Sequence, residues 1–433
     1  DWSSDVCSSD LMAFFALAFW TFEPVPIEYS SLLLLLIFPL SGLLSFEQSF
    51  APFAGKTIWL IFAGMALSMA LSETGIGDLA ASALQKYISH RPFALIVQLH
   101  AVGLLTAFLV PSGVVRVLLL MPIGFSICSM FRSSEPQRLA TTVLLSLVSS
   151  TIFGGFGLLT GAVPNLVIAG QVEQMGGIPI YWSTWFVWMF PLVGLARTAL
   201  SATVIWLLFA RDLAPLTPVN SDTTRLTTRL PQRKTLAILS LGVCLWATNA
   251  LHQIAPVYVA LFLVLLLVFP RWGPLKSEAL GKLNFPFLFY IAALFSLGTT
   301  LDSSGFNQVF IGYATQWIEL HTWDLPHRYY ALTLLTVPLD FAMDIAAVAA
   351  VLTQPFIELA STHGMDPMGA AMAIGMATTL VFLPYQAAPF MVAYSFKGFP
   401  LAHLVVTQFV VSTLSLLLIY PLNPLLWQFI GLI

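Results

Sequence analysis

The chain has 433 residues, of which 58% are hydrophobic and 9% charged, with a net charge of −3. Soluble domains carry about 25% charged residues, so this chain cannot clothe a folded surface in polar groups and its exterior must face lipid. No basic patch is long enough to track a phosphate backbone, which excludes nucleic acid as a partner, and Cys7, Cys128 and Cys244 are too widely spaced for a disulfide framework or a metal site.

Residues 1–10 hold three Asp and no Lys or Arg. A secretory signal needs a basic start and an apolar stretch, so this segment reads as a foreign, non-native tail outside the fold. From there, apolar runs predict crossings at about 11–23, 29–44, 57–73, 140–170, 181–210, 235–251, 255–270, 286–302, 366–396 and 403–431. Two further apolar stretches, 93–131 and 327–361, are broken near their middles, at VPSG (110–113) and FAMD (341–344). Each arm is expected to be too short to cross. Two short arms around a polar break read as a re-entrant hairpin, which is tolerated at membrane depth when it is buried in protein or lines a cavity.

Charge orients this map. With the first crossing starting outside, Lys86, Arg91, Arg132, Arg138, Arg211, Arg225, Arg229, Arg233, Lys234, Arg271, Lys276, Lys282 and Lys397 fall inside, and only Lys56 and Arg328 fall outside. That bias obeys the positive-inside rule. It predicts an integral protein of a bacterial inner (cytoplasmic) membrane, with the linker 211–234 in the cytoplasm and the C-terminus outside.

The polar linker 211–234 divides two similar halves, 11–210 and 235–433. The stretch 59–75 aligns with 287–305, and each ends on glycine, Gly75 and Gly305. Amphipathic segments follow, 76–90 and 306–320. In the first, Ile76, Leu79, Ala83, Tyr87 and Ile88 share one helical face, as in a helix lying in the interface. Each half then contains a hairpin and a broken crossing, so scaffold helices at 11–92 and 235–326 precede hairpin-and-break units at 93–210 and 327–433. The first hairpin opens inside and the second outside. The expected fold is therefore an all-α polytopic membrane protein, an inverted-repeat transporter with about ten transmembrane helices and two re-entrant hairpins.

Transport sites in such folds lie where interrupted helices point their ends at substrate and ions. Four interruptions qualify: Pro111 to Arg116, Gly161 to Asn165, Asp340 to Asp344 and Pro384 to Pro389. Pro lacks a backbone donor and Gly permits unusual dihedrals, which frees carbonyls and amides. A charge in the membrane costs at least about 2.5–3.5 kcal/mol, so Arg116 either clamps an anion or makes a structural pair. Arg197, near one face of an apolar helix, reads as structural. Asp340 and Asp344 share a helical face and read either as cation or proton carriers or as a solvated rim. His100 reads as a hydrogen-bonded packing residue. Trp182, Trp185 and Trp188 read as interfacial anchors. No HExxH, GxSxG, GxxxxGK or paired CxxC is present, so the chain is not expected to be an enzyme.

At several of these residues the sequence resembles the divalent anion/sodium symporter family, within the wider ion transporter superfamily. FWTFEPVP (19–26) resembles that family's LWLTEAIPL motif. TIWLIFAG (57–64) and SETG (72–75) resemble the helix before its interfacial helix. GAVPNL (161–166) is similar to its GTPPNL signature, and PYQAAP (384–389) with FKGFP (396–400) to its HQTN and GGYRF stretch. The likeness covers nearly all of 11–433. It implies a scaffold and an elevator-like transport unit, usually dimeric, for di- or tricarboxylates or sulfate, commonly sodium-coupled. The family's Ser-Asn-Thr hairpin tips are altered here. Ser112 and Pro122 keep their spacing, but Gly113 and Val114 replace Asn and Thr, and Pro111, Ser112 and Arg116 match a variant similar to plastid oxoglutarate/malate translocators.

Interruptions and resemblance together nominate Ser112, Gly113, Val114, Arg116, Pro164, Asn165, Gln386, Ala387 and Pro389 for the substrate. Ser112, Gly161, Asn165, Asp340 and Asp344 are nominated for the coupling ion, Na+ or H+, with no other cofactor. The expected function is secondary transport of small anions by a homodimer in a lipid bilayer. A cation/proton antiporter and a transport-inactive scaffold or sensor are the alternatives.

Overall fold

At membrane depth a backbone must satisfy its own N–H and C=O groups, which turns the long apolar runs into helices. The computed structural model describes residues 15, 19, 25–76, 87–176, 179–218, 230–303, 309, 312, 323–341 and 343–433. The expected tail at 1–10, most of the crossing at 11–23 and most of the amphipathic segments 76–90 and 306–320 lie outside the described residues.

In chain order the helices are α1 (Ile27–Leu40), α2 (Phe46–Phe50), α3 (Lys56–Thr74), α4 (Pro92–Leu109), α5 (Gly113–Ser129), α6 (Pro136–Phe156), α7 (Val163–Gly176), α8 (Trp182–Ala210) and α9 (Leu230–Ala247). They continue as α10 (Pro256–Leu267), α11 (Phe287–Ser303), α12 (Leu325–Asp340), α13 (Ile345–Thr362), α14 (Pro367–Ala377), α15 (Ala388–Ser395), α16 (Leu401–Ile419) and α17 (Leu422–Phe429), with single turns between some of them. Two antiparallel two-residue strands, β1 (Phe131–Arg132) and β2 (Thr217–Pro218), tie the end of α5 to the linker.

The fold is all-α and polytopic. Among the described residues, six helices are long and apolar enough to cross a membrane: α3, α4, α6, α8, α13 and α16. Both broken stretches break where the sequence predicts, between α4 and α5 and between α12 and α13. Their arms are not all short, however. α4 and α13 have 18 residues each, which corrects the expectation that no arm could span. A second correction concerns the linker, whose last residues, from Leu230, already form the first turn of α9.

Local chemistry sets the breaks. α3 stops at Gly75, whose φ of 70° is the left-handed conformation that only glycine adopts without strain. The Ser112 hydroxyl accepts from the Val115 amide at 3.4 Å to start α5. Asp344 accepts from the Ala346 amide at 2.8 Å to start α13. Both replace a donor's missing intrahelical partner. Within α8, Pro191 brings no amide, and the helix widens to a π turn over Phe190–Ala196.

α6 is the central post. It is 94% buried along its apolar window, against 33% for α4, and α4 and α5 both pack on it. Trp182 and Trp185 are buried in the core, not anchored at an interface. The Trp182 indole donates to the Thr160 hydroxyl at 3.2 Å. His100 is a packing residue: its ring nitrogens lie 2.9 Å from the Ile96 carbonyl and 3.0 Å from the Ser201 hydroxyl.

Polar contacts join helix ends in two groups. One group contains Lys282 with Glu73 at 2.6 Å, Asn284 with Glu28 at 3.0 Å, Gln232 with the Gly75 carbonyl at 2.9 Å, and Arg138 with Asp212 at 3.6 Å. The other contains Lys56 with Glu173, and Tyr329 with the Asp366 amide at 2.7 Å. Every pair joins residues that the charge map puts on one side.

Candidate functional site

The first interruption is built around a buried arginine. α4 ends at Leu109, with Val110 as its extended cap, and α5 begins one turn before Arg116. Arg116 is 1% exposed. Its Nη1 donates to the Val110 carbonyl at 2.7 Å and its Nη2 to the Gly161 carbonyl at 2.8 Å. Nε is buried without a hydrogen-bond partner. A guanidinium has five donors in a rigid fork, so bridging two carbonyls still leaves donor capacity. The site is packed closely enough to require glycine. A Cβ on Gly161 would sit 2.1 Å from the Gly155 carbonyl oxygen, and one on Gly155 would sit 2.3 Å from Arg116 Nη2.

Asn165 holds the loop between α6 and α7. Its Nδ2 donates to the Phe156 carbonyl at 3.0 Å and the Leu158 carbonyl at 2.8 Å, which closes the open end of α6. Its Oδ1 is buried with no hydrogen-bond partner.

The second broken crossing repeats this geometry. In the first, a 3-10 turn (Leu159–Gly161) leads to extended Ala162, φ −148°, and then to α7 with Pro164 as its second residue. In the second, a 3-10 turn (Pro384–Gln386) leads to extended Ala387, φ −145°, and then to α15 with Pro389 second. This register pairs Pro164 with Pro389 and Asn165 with Phe390.

Gln386 does locally what Asn165 does. Its Oε1 accepts from the Phe382 and Leu383 amides at 2.7 and 2.6 Å, and its Nε2 donates to the Asp340 carbonyl. The Tyr385 hydroxyl donates to the Phe341 carbonyl at 2.6 Å. The second hairpin tip is thereby fastened to the second signature loop, as the first tip is fastened to the first loop by Arg116.

The two carboxylates part company. Asp344 is the cap of α13, and its Oδ1 also accepts from the Tyr290 hydroxyl at 3.3 Å. Asp340 is fully buried, with neither carboxylate oxygen hydrogen-bonded. The Thr336 hydroxyl, one turn back on α12, is close enough to interact with this carboxylate, but it donates to the Thr333 carbonyl at 2.7 Å.

The halves meet at Gly113 and Pro389. A Cβ on Gly113 would lie 2.9 Å from Pro389 Cγ. The N-termini of α5 and α15 therefore abut, and both present the positive ends of their dipoles at one seam. Of the nominated residues, Ser112, Gly113, Arg116, Gly161 and Asn165 form one cluster with Pro389, while Gln386 and Asp340 form a second. Val114 is half-buried in the first turn of α5, Pro164 is buried in that of α7, and Ala387 is buried beside Gln386.

Arg197, which the sequence marks as structural, is fully buried and reaches both halves. The general expense of an intramembrane arginine was its signal. Phe390, buried against Phe153 at a ring separation of 5.8 Å, gave none.

Known proteins resemble this chain along most of its length. The family model for citrate transporters, CitMHS, matches residues 17–375. A Haemophilus influenzae protein described as an uncharacterized transporter is 22% identical over 96% of this chain and 91% of its own. The citrate/succinate antiporter of Escherichia coli K12 is 24% identical over 62% of this chain and 57% of its own. The sodium-dependent dicarboxylate transporter SdcS of Staphylococcus aureus USA300 is 24% identical over 43% of this chain and 36% of its own. Among solved structures, the Alcanivorax borkumensis YdaH transporter superposes with a TM-score of 0.57 at 15% identity, covering 99% of this chain and 98% of that one, a likeness of fold. The chain belongs to the citrate transporter family: it is a transporter, not an enzyme.

Proposed function

We propose that this member of the citrate transporter family carries di- or tricarboxylates across a bacterial inner membrane by exchange, working as an elevator-type homodimer. The observation that carries this reading is the buried Arg116 guanidinium beside the seam where α5 and α15 meet at Gly113 and Pro389. A fixed positive charge and two helix N-termini together favour a carboxylate. The E. coli relative's description as an antiporter agrees with exchange.

The first half suits sodium poorly. A sodium site there would use Ser112, Gly161 and Asn165, but the Gly161 carbonyl accepts from Arg116 at 2.8 Å. An ion on that carbonyl would feel the guanidinium from close range, and at about 4 Å two like charges repel by about 4 kcal/mol with an effective dielectric constant near 20. Arg116 itself supplies the positive charge that a coupling cation would bring.

Asp340 favours a second reading, proton coupling or cation/proton antiport, because both of its carboxylate oxygens are buried without hydrogen bonds. The charge bias supports a cytoplasmic linker and an outside C-terminus; the same-side polar contacts support only the grouping of helix ends.

The test is uptake of labelled citrate and succinate into proteoliposomes. Exchange predicts rapid uptake only when the vesicles are preloaded with unlabelled carboxylate. Equal uptake into empty vesicles under a sodium gradient would sink the exchange reading. No uptake of either compound under any gradient would favour a scaffold or sensor.

A further inference from the structure

We propose that Arg197 is a positioning residue that sets the geometry of both signature loops, and thereby substrate affinity, without touching substrate. The proposal rests on the carboxylate-transport reading for its kinetic test but not for its structural one.

Arg197 lies on α8 in the first half, yet its hydrogen bonds go to the second. Nη1 donates to the Thr379 carbonyl, and Nη2 donates to the Ser412 hydroxyl at 3.1 Å. The Ser412 hydroxyl passes its own proton to the Val381 carbonyl at 2.7 Å. Thr379 and Val381 follow the C-terminus of α14, where carbonyls are left without intrahelical donors and the dipole end is negative. The buried guanidinium satisfies the Thr379 carbonyl directly and supports the Val381 carbonyl through Ser412, and its charge complements that dipole. The Thr379 hydroxyl is also bonded to the Tyr420 hydroxyl. The segment that leads into Gln386 and Pro389 is therefore hung from Arg197 and from two side chains of the last crossing.

The same guanidinium sits over the first half's broken helix. Its carbon lies 4.3 Å from the Phe153 ring centroid and 5.7 Å from that of Phe156. Phe156 is the last residue of α6, and its carbonyl accepts from Asn165 at 3.0 Å. Phe153 in turn packs on Phe390, the residue after Pro389. A cation on an aromatic face resists lateral displacement, and this attraction grows when water is excluded. One side chain thus fixes the ends of both interrupted helices relative to each other.

No carboxylate is hydrogen-bonded to Arg197 among the described residues; its acceptors are a carbonyl and a hydroxyl. A purely structural ion pair would have used an acid. A planar fork over an aromatic ring, bridging two acceptors, is a geometry that lysine cannot reproduce.

The experiment compares wild type, Arg197→Gln, Arg197→Lys and Ser412→Ala in proteoliposomes, together with hydrogen–deuterium exchange of the purified proteins in detergent. For citrate and succinate exchange, Arg197→Gln should raise the half-saturating concentration about tenfold with the maximal rate within about threefold, the signature of lost uniform binding. Arg197→Lys should fall between, and Ser412→Ala, which loses the bond from the guanidinium and the bond to the Val381 carbonyl, should raise half-saturation about threefold or more. Amide exchange should rise in 379–390 and 157–163 and stay unchanged in α3 and α10.

A half-saturating concentration within twofold of wild type in Arg197→Gln, or exchange that rises uniformly along the chain, overturns the proposal. If Arg197→Gln does not fold, Ser412→Ala decides by the same two readouts. If wild type carries neither carboxylate, the transport reading fails, and the exchange pattern alone supports or overturns the role of Arg197.

Discussion

The Arg116 guanidinium donates to the Gly161 carbonyl at 2.8 Å, across 45 positions of sequence. One charged side chain thus fastens the first hairpin tip to the first signature loop. It also places a positive charge against the Gly161 carbonyl, one of the groups nominated for a coupling ion.

Arg116→Gln should raise the apparent substrate constant strongly, provided that the guanidinium attracts the carboxylate. Loss of a charge-assisted hydrogen bond costs about 1.5–3 kcal/mol, or roughly 10- to 150-fold in binding. Arg116→Lys should recover part of this, because an ammonium keeps the charge but cannot fork between two carbonyls. Concentration-dependent uptake in proteoliposomes measures both. Unchanged constants in Arg116→Gln would reduce Arg116 to a fastener between the tip and the loop.

Gly161→Ala should impair folding and transport together. The new methyl would lie 2.1 Å from the Gly155 carbonyl oxygen, a backbone atom that cannot swing aside. Overpacking of this kind costs about 1–3 kcal/mol, and here it also pushes the carbonyl that accepts from Arg116. Thermal unfolding in detergent should show a lower midpoint than wild type. Gly176→Ala serves as the control, because a Cβ at Gly176 meets nothing within 4 Å. Equal midpoints for the two variants would mean that the loop has more room than its geometry allows.

Sidedness offers a separate test. Ser277 is exposed beside Lys276 and Lys282, on the side that the charge bias makes cytoplasmic, and Thr362 is exposed at the end of α13, on the opposite side. In a background free of Cys7, Cys128 and Cys244, single cysteines at Ser277 and Thr362 should react with an impermeant maleimide from opposite faces of intact cells. Labelling of both from the same face would refute the map.

The interruptions were legible because Pro, Gly and polar residues are conspicuous in apolar runs, and Arg116 because an intramembrane charge demands a task. Trp182 and Trp185 were misread because an aromatic cluster has the same composition in a headgroup layer as in a core. The task of Arg197 was hidden for a different reason. Its acceptors, Thr379 and Ser412, lie 182 and 215 residues away, and no local pattern encodes such a meeting. Both copies carry Pro second in the helix, which puts Phe390 at the position that Asn165 holds in the first copy. Similarly, Asp340 and Asp344 look alike in sequence, and only the break between α12 and α13 separates a buried group from a helix cap.

That separation gives the last prediction. Asp344 caps α13 through the Ala346 amide, so Asp344→Asn, whose side-chain oxygen can still accept that bond, should leave transport near wild type. Asp340 has neither oxygen hydrogen-bonded although it is fully buried, and its neighbour Gln386 is committed to the backbone of the same break. A buried carboxylate in that state is stable when it holds a proton or faces a cation, and it costs several kcal/mol when it does neither. Asp340→Asn keeps the shape and removes the exchangeable proton. If Asp340 couples transport to protons, this variant should lose uptake driven by a pH gradient while retaining exchange between equal pools of citrate or succinate, since exchange needs no net ion movement. Uptake into proteoliposomes with sodium and pH gradients imposed separately distinguishes the cases. Steep sodium dependence, with a Hill coefficient near two and indifferent to Asp340→Asn, would mean that the coupling ion is sodium and that Asp340 has no part in it.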